Sequence, residues 1–204
     1  MRSDTKRNQQ QLIRAVAEEV RQNPNGISMQ SVAVRAKVGV ATAYRYFSSL
    51  DELLTAYMVQ IMEELQAFVA ECELTGSELF DATLARWVDL VLDHGKVMVQ
   101  LRSRSGYLDR LDHGDRVIGA SLLIWERPVA GLLEDLGLPS STLRQALFIS
   151  NALSDPREVL DLHEADRLSR DEIRRTLSAA LAGALRGLNA ARAQETQSSD
   201  FGQG

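Results

Sequence analysis

Apolar positions along this chain recur at spacings of three and four rather than in alternation, the period of helices that bury one face. Ile13, Val16, Ala17 and Val20 form the first such stripe, closed by the turn Asn23-Pro24-Asn25-Gly26. Ser28 then caps a short helix carrying Val32, Ala33 and Ala36, and after a break over Lys37 to Gly39 a second short helix reaches Tyr46. Ser49 with Glu52 three residues later is a capping-box pair. It opens a long helix whose Leu53, Leu54, Tyr57, Ile61, Leu65, Phe68 and Val69 share a face, and Thr75-Gly76 predicts its end.

The next pattern predicts a helix over 79–94, with Phe80, Leu84, Trp87, Val88, Val91 and Leu92 inward and Gly95 as its C-terminal breaker. Val97, Val99 and Leu101 alternate as a strand would, but a lone strand has no partner, so this piece is read as a short helix. A helix over 117–136 contains Pro128, which removes a backbone donor and predicts a bend; Gly137 and Pro139 stop it. Thr142 and Gln145 form a second capping-box pair for a helix over 143–153, ended by Asp155-Pro156, with a polar stretch running to Arg167. The last helix, 170–193, carries the seam Ile173, Leu177, Leu181, Ala184 and Leu188. Ala180, Gly183 and Gly187 lie on a neighbouring stripe, which reads either as a close helix contact or as Ala-rich composition. From 194 to 204 there is little to bury, and a disordered tail is expected. The fold class is therefore all-α: an N-terminal three-helix bundle over 1–49 and a larger helical domain over 50–193.

Composition narrows the classes. No run of apolar residues is long enough for a membrane span, and the polar start MRSDTKRNQQQ has no apolar stretch behind it, so a cytoplasmic chain is expected. Cys72 is alone, which excludes an internal disulfide and any CxxC site and reads as a small apolar residue. The net charge of −5 hides an asymmetry. Residues 1–50 hold Arg2, Lys6, Arg7, Arg14, Arg21, Arg35, Lys37 and Arg45 against Asp4, Glu18 and Glu19, so this end is basic and the remainder acidic. A basic end on an acidic body points to a polyanion at one end and another task at the other. All basic residues but Lys6, Lys37 and Lys96 are arginine, which fits phosphate recognition and equally a coding bias.

The segment ISMQSVAVRAKVGVATAYRYFSSLDELL, residues 27–54, has the spacing of a helix-turn-helix: a supporting helix, a tight turn, and a second helix short enough to enter a major groove. With Ala43 and Phe47 inward, the opposite face offers Val40, Ala41, Thr42 and Arg45 to bases and phosphates, with the Tyr44 and Tyr46 hydroxyls at the same end. Small apolar groups permit close approach and meet thymine methyls; Arg45 serves a phosphate or a guanine. Ser28, Gln30 and Lys37 complete the candidate DNA-contacting set. Ala36, Val38, Thr42, Tyr44, Tyr46, Phe47 and Leu53 match the signature of the TetR family of bacterial transcriptional regulators, which this first quarter of the chain resembles. Three positions depart from it. Lys37 replaces a turn glycine, Gly39 replaces the serine or threonine that caps the recognition helix, and Leu50 stands where a lysine is frequent. Loss of that lysine predicts weaker non-specific affinity. Arg2, Lys6 and Arg7 resemble a basic arm, and read equally as a solvated terminus.

The resemblance implies a homodimer that binds a palindromic double-stranded operator as a repressor and releases it when a small molecule enters the C-terminal domain. The implied dimer contact uses the helix after Thr142 and the last helix. The implied effector pocket has Trp87, Tyr107, Trp125 and Phe148 as candidate walls, with Arg102 and Arg104 as cations in an apolar neighbourhood that read equally as solvated surface. Its composition suits a hydrophobic effector over a polar one. A helical protein-interaction module without DNA binding is the alternative, and a helical enzyme is the remotest reading. His94, His113 and His163 each adjoin a carboxylate, but none has motif spacing, so no catalytic residue, metal site or cofactor is expected.

Overall fold

A computed structural model describes residues 2–23, 26–101 and 106–200, and among them every regular element is helical. In chain order these are α1 (Arg2–Gln22), α2 (Met29–Arg35), α3 (Val40–Tyr46), α4 (Leu50–Glu71), α5 (Gly76–Gln100), α6 (Tyr107–Asp112), α7 (Arg116–Asp135), a 3-10 turn (Ser140–Thr142), α8 (Leu143–Leu153), α9 (Pro156–Glu164) and α10 (Arg170–Asp200). Helix α1 packs on α2, α3, α4 and α5, which ties the N-terminal bundle to the body. The buried face of α1 is Leu12, Ala15, Val16 and Val20, with Ile13 and Ala17 at its edge, a rotation by part of a turn from the expected stripe. Helix α5 is the hub of the body and is flanked by α4, α7, α9 and α10. The cluster of buried side chains is continuous from Leu12 to Leu185.

Several boundaries differ from the expected ones, each for a local reason. Helix α4 ends earlier, at Glu71, with Cys72 as its cap. The Arg127 guanidinium of α7 closes that end by donating to the carbonyls of Val69 at 2.9 Å, Cys72 at 3.0 Å and Leu74 at 3.2 Å, so carbonyls at the helix end find a charged donor. Gly76 does not stop a helix but begins α5 with φ +56°, and the Ser77 amide beside it donates to the Asp135 carboxylate at 2.6 Å. A Cβ on Gly131 of α7 would lie 2.9 Å from the Gly76 backbone, so the crossing requires glycine at 131, while the positive φ and the adjacent Asp135 carboxylate require it at 76.

Gly95 does not break its helix either, and residues 97–100 continue α5 rather than forming a separate piece. A Cβ at Gly95 would press on Leu160 of α9 at 3.0 Å, so close approach of α9 is what this glycine serves. That partner helix occupies the stretch expected to be irregular. Asp155 caps it by accepting the Arg157 amide at 2.9 Å, Pro156 fills its first turn, and Val159 is fully buried. The expected Thr142 box does not form, because the 3-10 turn leaves Thr142 with helical dihedrals and its side chain makes no cap bond. Pro128 lies inside α7, where the pattern places it, and is buried.

Helix α10 is fastened to α5 by Arg170 on Asp89 at 2.7 Å and Asp93 at 2.9 Å, and by Ser178 on Asp81 at 2.7 Å. Its buried seam is Ile173, Leu177, Leu181 and Leu185, so the stripe passes through Leu185 rather than Ala184. The helix runs on to Asp200, past the expected end at 193; Ala, Gln and Glu sustain it, and no glycine or proline interrupts before Gly202. The tail expected to be disordered from 194 is described as helix as far as Asp200, and 201–204 lie outside the described residues. No described helix is long and apolar enough to cross a membrane.

Candidate nucleic-acid interface and internal cavity

The turn between α2 and α3 is built from local chemistry. Ser28 accepts the Ser31 amide at 3.0 Å while Ser31 accepts the Ser28 amide at 3.1 Å, a reciprocal cap that commits the Ser28 hydroxyl to the backbone. At the other end Lys37 donates to the Val34 carbonyl and Val38 to the Ala33 carbonyl, the paired bonds that close a helix through a left-handed residue. That residue is Lys37, at φ +56°. A side chain there costs about 1–2 kcal/mol, which is why glycine is the usual occupant of such a turn. Gly39 then begins α3 in extended conformation and offers no side-chain cap, though its carbonyl accepts the Thr42 and Ala43 amides.

Helix α3 turns Ala43 fully inward, followed by Phe47 just beyond its end, and leaves Val40, Ala41, Tyr44 and Arg45 exposed; Thr42 and Tyr46 are half-buried. The two tyrosines therefore differ. Tyr44 is 52% exposed, whereas the Tyr46 hydroxyl accepts the Asn8 side-chain amide of α1 at 3.1 Å. The Arg45 guanidinium stands 5.4 Å from the Tyr46 ring centroid, so Tyr46 steers Arg45. Gln30 and Lys37 are exposed, and Val34, one turn beyond Gln30, is 70% exposed on the same face of α2. Helix α2 is pinned to α1 by the Arg35 Nε bond to buried Glu19 at 2.6 Å, with Glu18 at 3.8 Å. Sequence reasoning missed Asn8, Glu19 and Val34, since only the docking of α1 reveals them. At Leu50 the side chain packs against the core. Arg7 is exposed, while the side chains of Arg2 and Lys6 lie outside the described residues.

The second feature is a cavity of about 170 Å³ among α4, α5, α6, α7 and α8. Three of the sequence-derived candidates line it: Trp87, Tyr107 and Trp125. Phe148 does not. Leu147 faces the cavity, and one residue on, about 100° around the helix, Phe148 points outward and is 43% exposed. Arg102 and Arg104 lie outside the described residues. Met58, Met62 and Met98 contribute thioethers, and Arg110 and Asn151 contribute polar groups; helical periodicity gave no sign that these would converge. Trp87 and Trp125 meet edge to face at 6.2 Å. The Trp87 indole donates to the Ser154 carbonyl at 3.0 Å, and the Ser154 hydroxyl donates to the Ser150 carbonyl at 2.6 Å. Burial pushes the Tyr107 phenol above its ordinary range. No group of described His, Cys, Asp and Glu side chains has a metal-binding arrangement.

The sequence matches no family model and no curated protein. Solved structures do match the fold along most of its length. A TetR-family transcriptional regulator from Streptomyces coelicolor superposes with a TM-score of 0.64 at 20% identity, over 95% of this chain and 86% of that one. FadR from Bacillus subtilis, in complex with stearoyl-CoA, gives 0.58 at 18% identity over 86% and 96%. The chain has the TetR-family fold. A third TetR-like regulator, from Rhodococcus sp. RHA1, gives 0.54 at 19% identity over 89% and 95%.

In this TetR-family fold, α4 begins directly after the helix-turn-helix and carries Thr55, Met58, Val59 and Met62 to the cavity wall. Beside them the Tyr57 hydroxyl meets His94 Nδ1 of α5 at 2.8 Å. Burial pushes the Tyr57 phenol up to about 12. Burial likewise lowers His94 below its ordinary value, and Arg21 of α1 acts in the same direction against Asp93 and Glu64. Near pH 7.5 His94 is mostly uncharged folded or unfolded; as pH falls through about 6.5 the unfolded chain takes the proton first, so stability is lost on acidification. The melting temperature is expected to fall more between pH 7.5 and pH 5.5 in the wild type than in His94→Gln. Parallel profiles would show that His94 does not titrate differently on folding.

Proposed function

We propose that this chain is a sequence-specific transcriptional regulator that binds double-stranded DNA as a homodimer. Helix α3 reads the major groove while α2 crosses the backbone as its support, within a DNA-binding domain over 1–49, and the domain over 50–193 binds a small-molecule effector and dimerises. The observation that carries this reading is the exposed face of α3: Val40, Ala41, Tyr44 and Arg45 stand outward on a helix anchored behind by Ala43 and Phe47, at the basic end of an acidic chain. Gln30 and Lys37 flank it as backbone contacts, Tyr46 orients Arg45, and Thr42 lies at the edge. Ser28 supports the set through its cap.

Dimerisation is assigned to α8 and α10, which pack side by side. Their outward surface carries Phe148, Ala180, Gly183, Ala184 and Gly187. A Cβ at Gly183 or Gly187 would meet nothing in this chain, so no internal contact requires those glycines, whereas a second copy of the helix pair would. A two-fold axis there sets two copies of α3 about 34 Å apart, for a palindromic operator. The cavity takes a hydrophobic effector, and the ligand-bound state of the FadR neighbour is consistent with an effector in this fold. Effector binding relieves repression if it favours a state with the wrong spacing of α3. The setting is cytoplasmic.

Fluorescence anisotropy on duplexes from around the chain's own gene, against a scrambled duplex and with salt titration, tests this function. Tight binding to one fragment that weakens steeply with salt is expected. Equal affinity for every duplex, persisting after selection from random DNA, would overturn it.

A further inference from the structure

The cavity discriminates by size and charge. We propose that it takes a small uncharged aromatic molecule with one hydrogen-bonding substituent, the size of a substituted phenol, held by Asn151; this rests on the effector reading above. Its volume of about 170 Å³ is near that of an engineered cavity of about 150 Å³ that holds benzene. Such a space is filled by a single ring and has no room for a long acyl chain. The walls suit a ring as well: Met58, Met62 and Met98 bring polarisable sulfur, which packs favourably on aromatic rings, beside the perpendicular pair Trp87 and Trp125.

Accounting for the polar groups sets the charge. The indole N–H of Trp87 and the hydroxyl of Ser154 are already committed to backbone carbonyls. Among the described lining residues Arg110 is the one charged side chain, and it is neutralised. Its Nε and Nη2 each bond an Asp115 carboxylate oxygen at 3.0 Å, and Asp115 in turn accepts the Ile118 amide at 3.1 Å, which fixes the carboxylate at the start of α7. A ligand carboxylate there would compete with Asp115 and be repelled by it. A ligand ammonium would find no carboxylate among the described lining residues. The Thr55, Tyr107, Ser121 and Ser150 hydroxyls also line the wall, and the Asn151 amide, half-buried there and bonded to no described residue, is the group that brings two donors and an acceptor together.

The chain's two tryptophans both line the cavity, so intrinsic fluorescence of the full-length protein reports its occupancy. Titrations at pH 7 would compare 4-methylphenol, toluene, 4-methylbenzoate and decanoate in the wild type and in Asn151→Leu. Saturable quenching by 4-methylphenol at least tenfold tighter than by 4-methylbenzoate or decanoate is expected. In Asn151→Leu, 4-methylphenol should weaken about tenfold, the worth of a hydrogen bond near the top of its net range, while unchanged toluene binding shows that the cavity is intact. Equal or tighter binding of either anion, binding of none of the four, or an unchanged 4-methylphenol affinity in Asn151→Leu would overturn the proposal. The effector reading is judged separately: 4-methylphenol that saturates the cavity yet leaves operator binding unchanged would refute that reading and leave the ligand class standing.

Discussion

Alanine at Tyr44 or Arg45 should remove sequence-specific DNA binding while leaving the fold in place. Both side chains are exposed on α3 and neither belongs to the buried core, and alanine is the best helix former, so the variants should keep wild-type far-UV circular dichroism and elution volume. Arg45 is the only long cation on the outward face of α3 and is held beside the Tyr46 ring, so its guanidinium reaches DNA with little freedom left to lose. A good contact from such a side chain to a base edge discriminates by about 1–3 kcal/mol, roughly 5- to 160-fold per half-site. A two-fold dimer loses it twice. Tyr44 supplies a hydroxyl and a flat apolar face at the same end. Operator affinity measured by anisotropy should therefore fall to the level of the scrambled duplex in both variants. Normal operator binding by both would remove α3 from the interface and leave the helical interaction module as the better reading.

Local chemistry made the helix-turn-helix legible. Ser28, the break at Lys37 and the inward pair Ala43 and Phe47 act over a few residues, so spacing alone places them. Ser49 was legible in part: it accepts the Glu52 amide at 3.1 Å, but the Glu52 carboxylate turns to the Ser48 amide at 2.6 Å and hydroxyl at 2.7 Å rather than back to Ser49. Those bonds hold the Glu52 carboxyl below its ordinary range. Glycines misled where their role is tertiary. Gly95 and Gly76 look like helix stops, yet a Cβ at Gly95 would meet Leu160 and one at Gly76, already at positive φ, would meet the Asp135 carboxylate, both distant in sequence. Helix α9 was legible in principle, since Asp155-Pro156 is both an end signal and a cap followed by a first-turn proline. The cavity was the least legible feature. Periodicity says which face of α8 turns inward, but whether Leu147 or Phe148 reaches a void depends on how α4, α5 and α7 fill the space opposite.

Arg35 carries the largest expected stability effect outside the apolar core. Glu19 is 4% exposed on the buried side of α1, and its carboxylate is held by Arg35 Nε at 2.6 Å, a short charge-assisted bond. Arg35→Ala removes the partner and leaves a buried charge, which costs more than the pair contributes, because a carboxylate without its donor keeps its full desolvation penalty. The guanidinium is 27% exposed, so water partly replaces it, and the expected loss is about 2–3 kcal/mol, toward the lower end for breaking a buried pair. In a chain of this size that lowers the melting temperature by roughly 5–10 °C. Glu19→Met combined with Arg35→Leu removes both charges and should recover most of the loss, which separates the unpaired charge from the packing of α2 on α1. Operator affinity should follow the same order, since α2 supports α3 and the ion pair fixes α2. An Arg35→Ala protein that melts within about 2 °C of the wild type, against the several degrees a buried unpaired charge demands, would show that Glu19 finds water or another donor and that the pair does not hold α2 in place.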